Sequence, residues 1–71
     1  MVTQQEIQRN IKEAIEKSNK KQIEIAKSIN VKPTQITAYK KGRKYPSLET
    51  LANLCIELDI SSDEILGIKK F

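Results

Sequence analysis

Residues 22–42 read QIEIAKSINVKPTQITAYKKG, and two short helical patterns lie within them. In the first, residues 22–29, Ile25, Ala26 and Ile29 recur at helical spacing and form one apolar stripe. Asn30 stands at its exit, and asparagine tolerates the left-handed backbone in which helices end. Val31 is an apolar residue in the connector. Pro33 suits the first position of a following helix, where its missing N–H has no intrahelical partner anyway. That helix is expected over residues 33–41, with Gly42 as its stop and with Ile36 and Tyr39 facing inward. Ala26 is small enough for the two helices to approach closely. Two short helices, a tight connector and an apolar plug at Val31 describe a helix-turn-helix.

The flanking sequence is helical too. Thr3 and Glu6 fit a capping box ahead of a helix over residues 3–18. Ile7, Ile11, Ala14 and Ile15 line one face of that helix, and Asn19 follows it. Beyond Gly42, Pro46 closes a loop and Ser47 is a good N-cap. The helix it starts is expected to carry Leu48, Leu51, Leu54, Cys55 and Leu58 inward. A last, short helix is expected around residues 63–66, with Ser61 and Glu64 as a second capping box and Gly67 as its end. No strand-like alternation, repeat or linker interrupts this pattern. The expectation is an all-α, compact five-helix arrangement forming a single domain over residues 1–71, with the helix-turn-helix at about 22–42.

Composition narrows the chemistry. A chain of 71 residues buries only about 60% of the surface it exposes when unfolded, and its core supplies roughly 3–5 kcal/mol net. Cys55 is its one cysteine and it has no histidine, which excludes an internal disulfide, a Cys/His zinc site and histidine-based catalysis. No enzyme activity, metal, cofactor or small-molecule substrate is expected. Cys55 lies on an apolar stripe and reads as a packed core thiol. Three aromatic residues, Tyr39, Tyr45 and Phe71, are too few for a platform that stacks single-stranded bases. No apolar run approaches the roughly 18 residues of a membrane span. The polar start and free thiol give cytoplasmic as the default location and no signal peptide.

Charge is segregated along the chain. The net charge is +4, yet residues 17–44 hold nine basic side chains against the single acid Glu24, a local charge of +8. The remainder carries −4. Such segregation points to a polyanion partner. A membrane surface is the weaker candidate, because the basic stretch lacks a broad aromatic-rich apolar face.

Taken together, these features resemble the Cro/cI-type (XRE-like) helix-turn-helix family of small prokaryotic and phage DNA-binding proteins. The resemblance rests on Gln22-x-x-Ile25-Ala26, Asn30-Val31, Ile36, Gly42, Pro46-Ser47-Leu48-x-x-Leu51 and Ser61-x-x-Glu64-Ile65-Leu66, and it extends over about residues 7–66. It implies five helices whose third enters the major groove, commonly as a dimer on a near-palindromic operator. Asn19 and Asn30 stand where the family often has glycine, and Lys40 where it frequently has glutamate. Pro33 replaces a residue that is often a base-reading glutamine. Lys21 and Lys32 stand where serine or threonine usually caps helices two and three. Lysine cannot accept a capping hydrogen bond, so these helix starts should be weakened in the free protein and open to a phosphate oxygen on binding.

Helical geometry assigns roles on the third helix. Thr34, Thr37, Ala38 and Lys41 share the side opposite Ile36 and Tyr39, with Gln35 at its margin. Gln35 can pair with adenine, Thr34 and Thr37 can hydrogen-bond base edges or touch a thymine methyl, and Ala38 can pack on such a methyl. These four are the expected base contacts. By resemblance, Thr34 and Ala38 match positions that meet bases, and Gln22 matches one that grips a phosphate. Lys21, Lys32, Lys41, Arg43 and Lys44 complete the expected phosphate set, which fixes register rather than sequence.

One recognition helix reads few base pairs, so a homodimer is expected, its two copies about 34 Å apart on double-stranded operator DNA. Ile65, Leu66, Ile68 and Phe71 form an apolar C-terminal edge that either contacts a partner copy or caps the chain's own core. With no room for a sensing domain, a Cro-like repressor that blocks polymerase is the favoured reading. A helical protein-interaction module, such as an antitoxin or antirepressor, is the alternative. A nonspecific architectural protein lacks its expected apolar wedge or basic arm.

Overall fold

The structure is a computed structural model that describes residues 1–68. Its helices are α1 (Gln4–Lys17), α2 (Gln22–Ser28), α3 (Pro33–Lys41), α4 (Leu48–Leu58) and α5 (Ser62–Leu66), and no strand occurs among the described residues. The helix starts fall where the caps were expected. The backbone N–H groups of Glu6, Thr50 and Glu64 each donate to a hydroxyl three residues earlier, on Thr3, Ser47 and Ser61, at 3.2 Å. Lys21 and Lys32 precede α2 and α3 without a side-chain cap, because an ammonium group has no lone pair to offer.

The ends of α2, α3, α4 and α5 share one device. Asn19 and Asn30 take left-handed φ values of 59° and 60°. Val31 then donates to the Ala26 carbonyl (2.9 Å), and Arg43, Ile60 and Ile68 donate to carbonyls five residues earlier at 2.9–3.0 Å after α3, α4 and α5. This is the Schellman pattern, which satisfies carbonyls that the helix leaves orphaned. Asp59, at φ 53°, makes the turn after α4, a boundary that its sequence signalled weakly because aspartate is the less common left-handed residue. Gly42 is constrained twice: φ is +74° and an added Cβ would sit 3.1 Å from Cγ of Gln8.

Each helix contributes one large, fully buried side chain: Ile11, Ile25, Ile36, Leu54 and Ile65. Ala26 is 1% exposed, and α2 packs against α3. Val31 packs against the core from the connector, and Tyr39 is buried. The third helix packs against both α1 and α2, and α5 packs against α1 and α4. Asn10 of α1 secures α5 by donating its side-chain N–H to the Ile65 carbonyl (3.1 Å).

Two apolar expectations are corrected. Leu48 does not face inward; it is 87% exposed. It lies in the first turn of α4, where side chains lean toward the helix N-terminus and so project past the core that Leu54 and Cys55 reach. The C-terminal edge is divided: Ile65 belongs to the core, Leu66 is half-buried and Ile68 is exposed, while Phe71 lies outside the described residues. Cys55 is buried as expected, and burial pushes its thiol pKa up.

One basic residue of the central segment is committed elsewhere. The Lys20 ammonium donates to the Glu57 carboxylate (2.9 Å) and to the Glu57 carbonyl (2.6 Å), tying the α1–α2 turn to the end of α4. The Lys20 hydrogen bond holds the Glu57 carboxyl below its ordinary pKa.

Candidate nucleic-acid interface

The third helix is anchored by the burial of Ile36 and Tyr39. That leaves Thr34 and Lys41 exposed, with Thr37 and Ala38 half-buried beside them, the side that helical geometry assigned. Gln35 is half-buried, and its Oε1 accepts from the Lys32 backbone N–H (3.0 Å). This is one arm of a capping box. It turns the Gln35 amide back along the helix start, so the residue supports α3 where Lys32 cannot. Lys21 and Lys32 are exposed at the helix starts, and Arg43 and Lys44 are exposed just beyond Gly42.

A hydrogen-bonded chain joins three elements. Gln8 of α1 donates through Nε2 to the carbonyl of Lys40 at the end of α3 (2.6 Å). Lys40 Nζ donates to Gln22 Oε1 at the start of α2 (3.2 Å). Gln22 Nε2 donates in turn to Thr37 Oγ1 (2.9 Å). Gln22 and Thr37, assigned separately from the sequence, are therefore one unit. With its oxygen accepting from Gln22, the Thr37 hydroxyl keeps its own proton to donate.

An open cleft of about 780 Å³ lies over this chain, between α1 and α3. Arg9 and Lys12 form its α1 wall, and Lys40 and Lys41 its α3 wall, with the acid Glu16 also present. Of the expected contacts it gathers Gln22, Thr37 and Lys41; the others lie outside it. Lys40, Arg9 and Lys12 were missed. For Arg9 and Lys12 the signal was the polar stripe of α1, where Gln5, Arg9, Lys12 and Glu16 recur at helical spacing opposite Ile7 and Ile11. Nothing in that stripe tells which element lies beside it.

Among the described residues no group of side chains could hold a metal ion, and no helix is long and apolar enough to cross a membrane.

No curated protein matches the sequence. Among solved structures, the solution structure of an SOS-response transcriptional repressor, LexA, from Eubacterium rectale is similar. It shares 31% identity over 96% of this chain and 72% of its own, with a TM-score of 0.80. The profile of the Helix-turn-helix family HTH_3 matches residues 11–65. With the match spanning the second half of α1, the whole helix-turn-helix, α4 and nearly all of α5, the chain belongs to the XRE-type helix-turn-helix family of DNA-binding transcriptional regulators.

Proposed function

We propose that this chain is a sequence-specific repressor of the Cro-like type, which binds a near-palindromic double-stranded operator as a homodimer with α3 in the major groove. The observation that carries this reading is the division of α3. Ile36 and Tyr39 are locked in the core, while Thr34, Thr37, Ala38 and Lys41 occupy its other side. A helix held this firmly presents base-reading side chains at little entropic cost on binding. The similar LexA structure, itself described as a transcriptional repressor, supports the same reading.

Roles follow from chemistry. Thr34 and Thr37 read base edges, and Ala38 packs against a thymine methyl. Gln35 stands at the margin, where its amide nitrogen is free to donate while its oxygen serves the helix start. Gln22, Lys21, Lys32, Lys41, Arg43 and Lys44 hold the two phosphate backbones. Lys21 and Lys32 lie beside uncapped N–H groups, so a phosphate oxygen there gains both a charge and a helix terminus. Two copies on one face of the duplex double the number of base pairs read, and polymerase is blocked by occupancy.

The test is selection of bound duplexes from a random pool, followed by binding across salt with nonspecific DNA and an acidic protein as competitors. A recovered twofold-symmetric site that survives nonspecific DNA supports the repressor. Preferential binding to the acidic protein, with no sequence selected, overturns it in favour of a protein-interaction module.

A further inference from the structure

The cleft between α1 and α3 is not absorbed by a recognition helix and its flanking loop. We propose that it is a second backbone clamp, in which Arg9 and Lys12 of α1 hold a phosphate of the same duplex that α3 reads. This inference rests on the DNA-binding reading above and adds α1 to the interface.

Three observations converge on it. Four cations, Arg9, Lys12, Lys40 and Lys41, meet in one concavity that contains a single acid, Glu16. Among the described residues the only ion pair is Lys20–Glu57, so none of these four is neutralised within the protein. Like charges gathered on so small a protein repel one another, and an anion between them removes that repulsion.

The second observation concerns hydrogen-bonding sense. Two acceptors of the central chain are already taken, Gln22 Oε1 by Lys40 and the Thr37 oxygen by Gln22. Beside the side-chain oxygens of Gln5, Gln8 and Glu16, the groups that remain are donors: the second N–H of the Gln22 amide, the Arg9 guanidinium and the unused protons of the ammonium groups. A cleft that offers mainly donors suits a phosphate.

Third, the shape and lining select the kind of partner. The cleft is open-sided and shares Thr37 and Lys41 with the outer part of α3, so a strand lying along α3 continues over it. No aliphatic or aromatic residue lines it. Protein–protein interfaces depend on an apolar, aromatic-rich centre, which this surface lacks, whereas contacts to a nucleic-acid backbone do not.

The experiment compares Arg9→Ala, Lys12→Ala and the double variant with Lys17→Ala in the full chain. Lys17 is on the same helix and its loss changes net charge equally, but it lies toward Leu58, Ile60 and Glu64, away from α3. Binding to the selected duplex and to an unrelated duplex is measured from 50 to 200 mM salt, with circular dichroism confirming folding. Each cleft variant is expected to flatten the slope of log affinity against log salt by about one, and the double variant by about two. Across that salt range each single variant therefore loses roughly threefold less affinity than the parent, and the double variant roughly tenfold less. The loss is equal on both duplexes, Arg9→Lys restores the slope, and Lys17→Ala leaves it unchanged. Cleft variants that behave like Lys17→Ala, while the parent binds DNA normally, overturn this inference alone. A parent protein that binds no duplex overturns the proposed function and the clamp together.

Discussion

The helix starts fall into two groups. Those of α1, α4 and α5 are capped by Thr3, Ser47 and Ser61, each accepting a backbone N–H bond. Those of α2 and α3 are preceded by Lys21 and Lys32 and have no side-chain cap. A missing N-cap costs about 0.5–2 kcal/mol, a substantial share of what a core of this size supplies. The scaffolding helices are thus locally self-sufficient, whereas the helix-turn-helix depends on packing through Ile25 and Ile36 and on the Gln35 bond. Positive charge and free N–H groups coincide where a phosphate is proposed to bind, so stability is lower where binding requires polarity. This is the pattern expected when function and local stability compete for the same positions.

The largest expected effect removes the packing on which the uncapped pair relies. Ile36→Ala deletes a fully buried side chain and should lower stability by about 2–5 kcal/mol, enough to unfold much of the population in a urea titration. A loss below 1 kcal/mol would mean that α2 and α3 stand without that anchor. Next in size, Thr34→Ala should change preference among operator variants by about 1–3 kcal/mol at one base pair, with little change in melting temperature because the residue is exposed. Uniform loss across variants would assign Thr34 to the backbone instead.

Reciprocal cap exchanges come third. Ser47→Ala should destabilise by about 1 kcal/mol, and Lys21→Ser or Lys32→Ser should stabilise by a similar amount. The two lysine replacements should also lower DNA affinity and flatten the salt slope by about one each. Lysine-to-serine variants that gain no stability would show the α2 and α3 starts to be satisfied in some other way.

The smallest effect is electrostatic and lies in the scaffold. Because Lys20 holds the Glu57 pKa down in the folded state, the pair contributes stability above the ordinary carboxylate range. That contribution is lost as pH falls through the lowered folded value. In thermal melts the parent should lose slightly more stability than Lys20→Met between neutral and acid pH. Identical pH profiles would show that the exposed pair contributes nothing measurable, as many surface pairs do.

Much of this was legible in the residue order. Apolar spacing, the caps at Thr3, Ser47 and Ser61, and the turn residues Asn19, Asn30, Gly42 and Gly67 located all five helices, because these signals act within one or two turns of chain. The outer side of α3 was legible for the same reason, since helical period alone opposes Thr34 and Lys41 to Ile36 and Tyr39. Leu48 misled because period reports direction around a helix, not whether anything lies beyond its first turn to cover the side chain. Gln35 was placed at the margin by period and read as a base contact by its chemistry, and the bond from Lys32 that turns it back depends on local three-dimensional geometry.

From residue order come the helices, their limits, the buried stripe of each and the basic character of the middle of the chain. Their cause is local: hydrogen bonds and side-chain periodicity across a few residues. The union of Gln8, Gln22, Thr37 and Lys40 into one chain, and the cleft that brings Arg9 and Lys12 beside Lys41, came from packing. They join residues up to 32 positions apart, and only burial of the shared core, acting on all five helices at once, sets which polar stripe faces which.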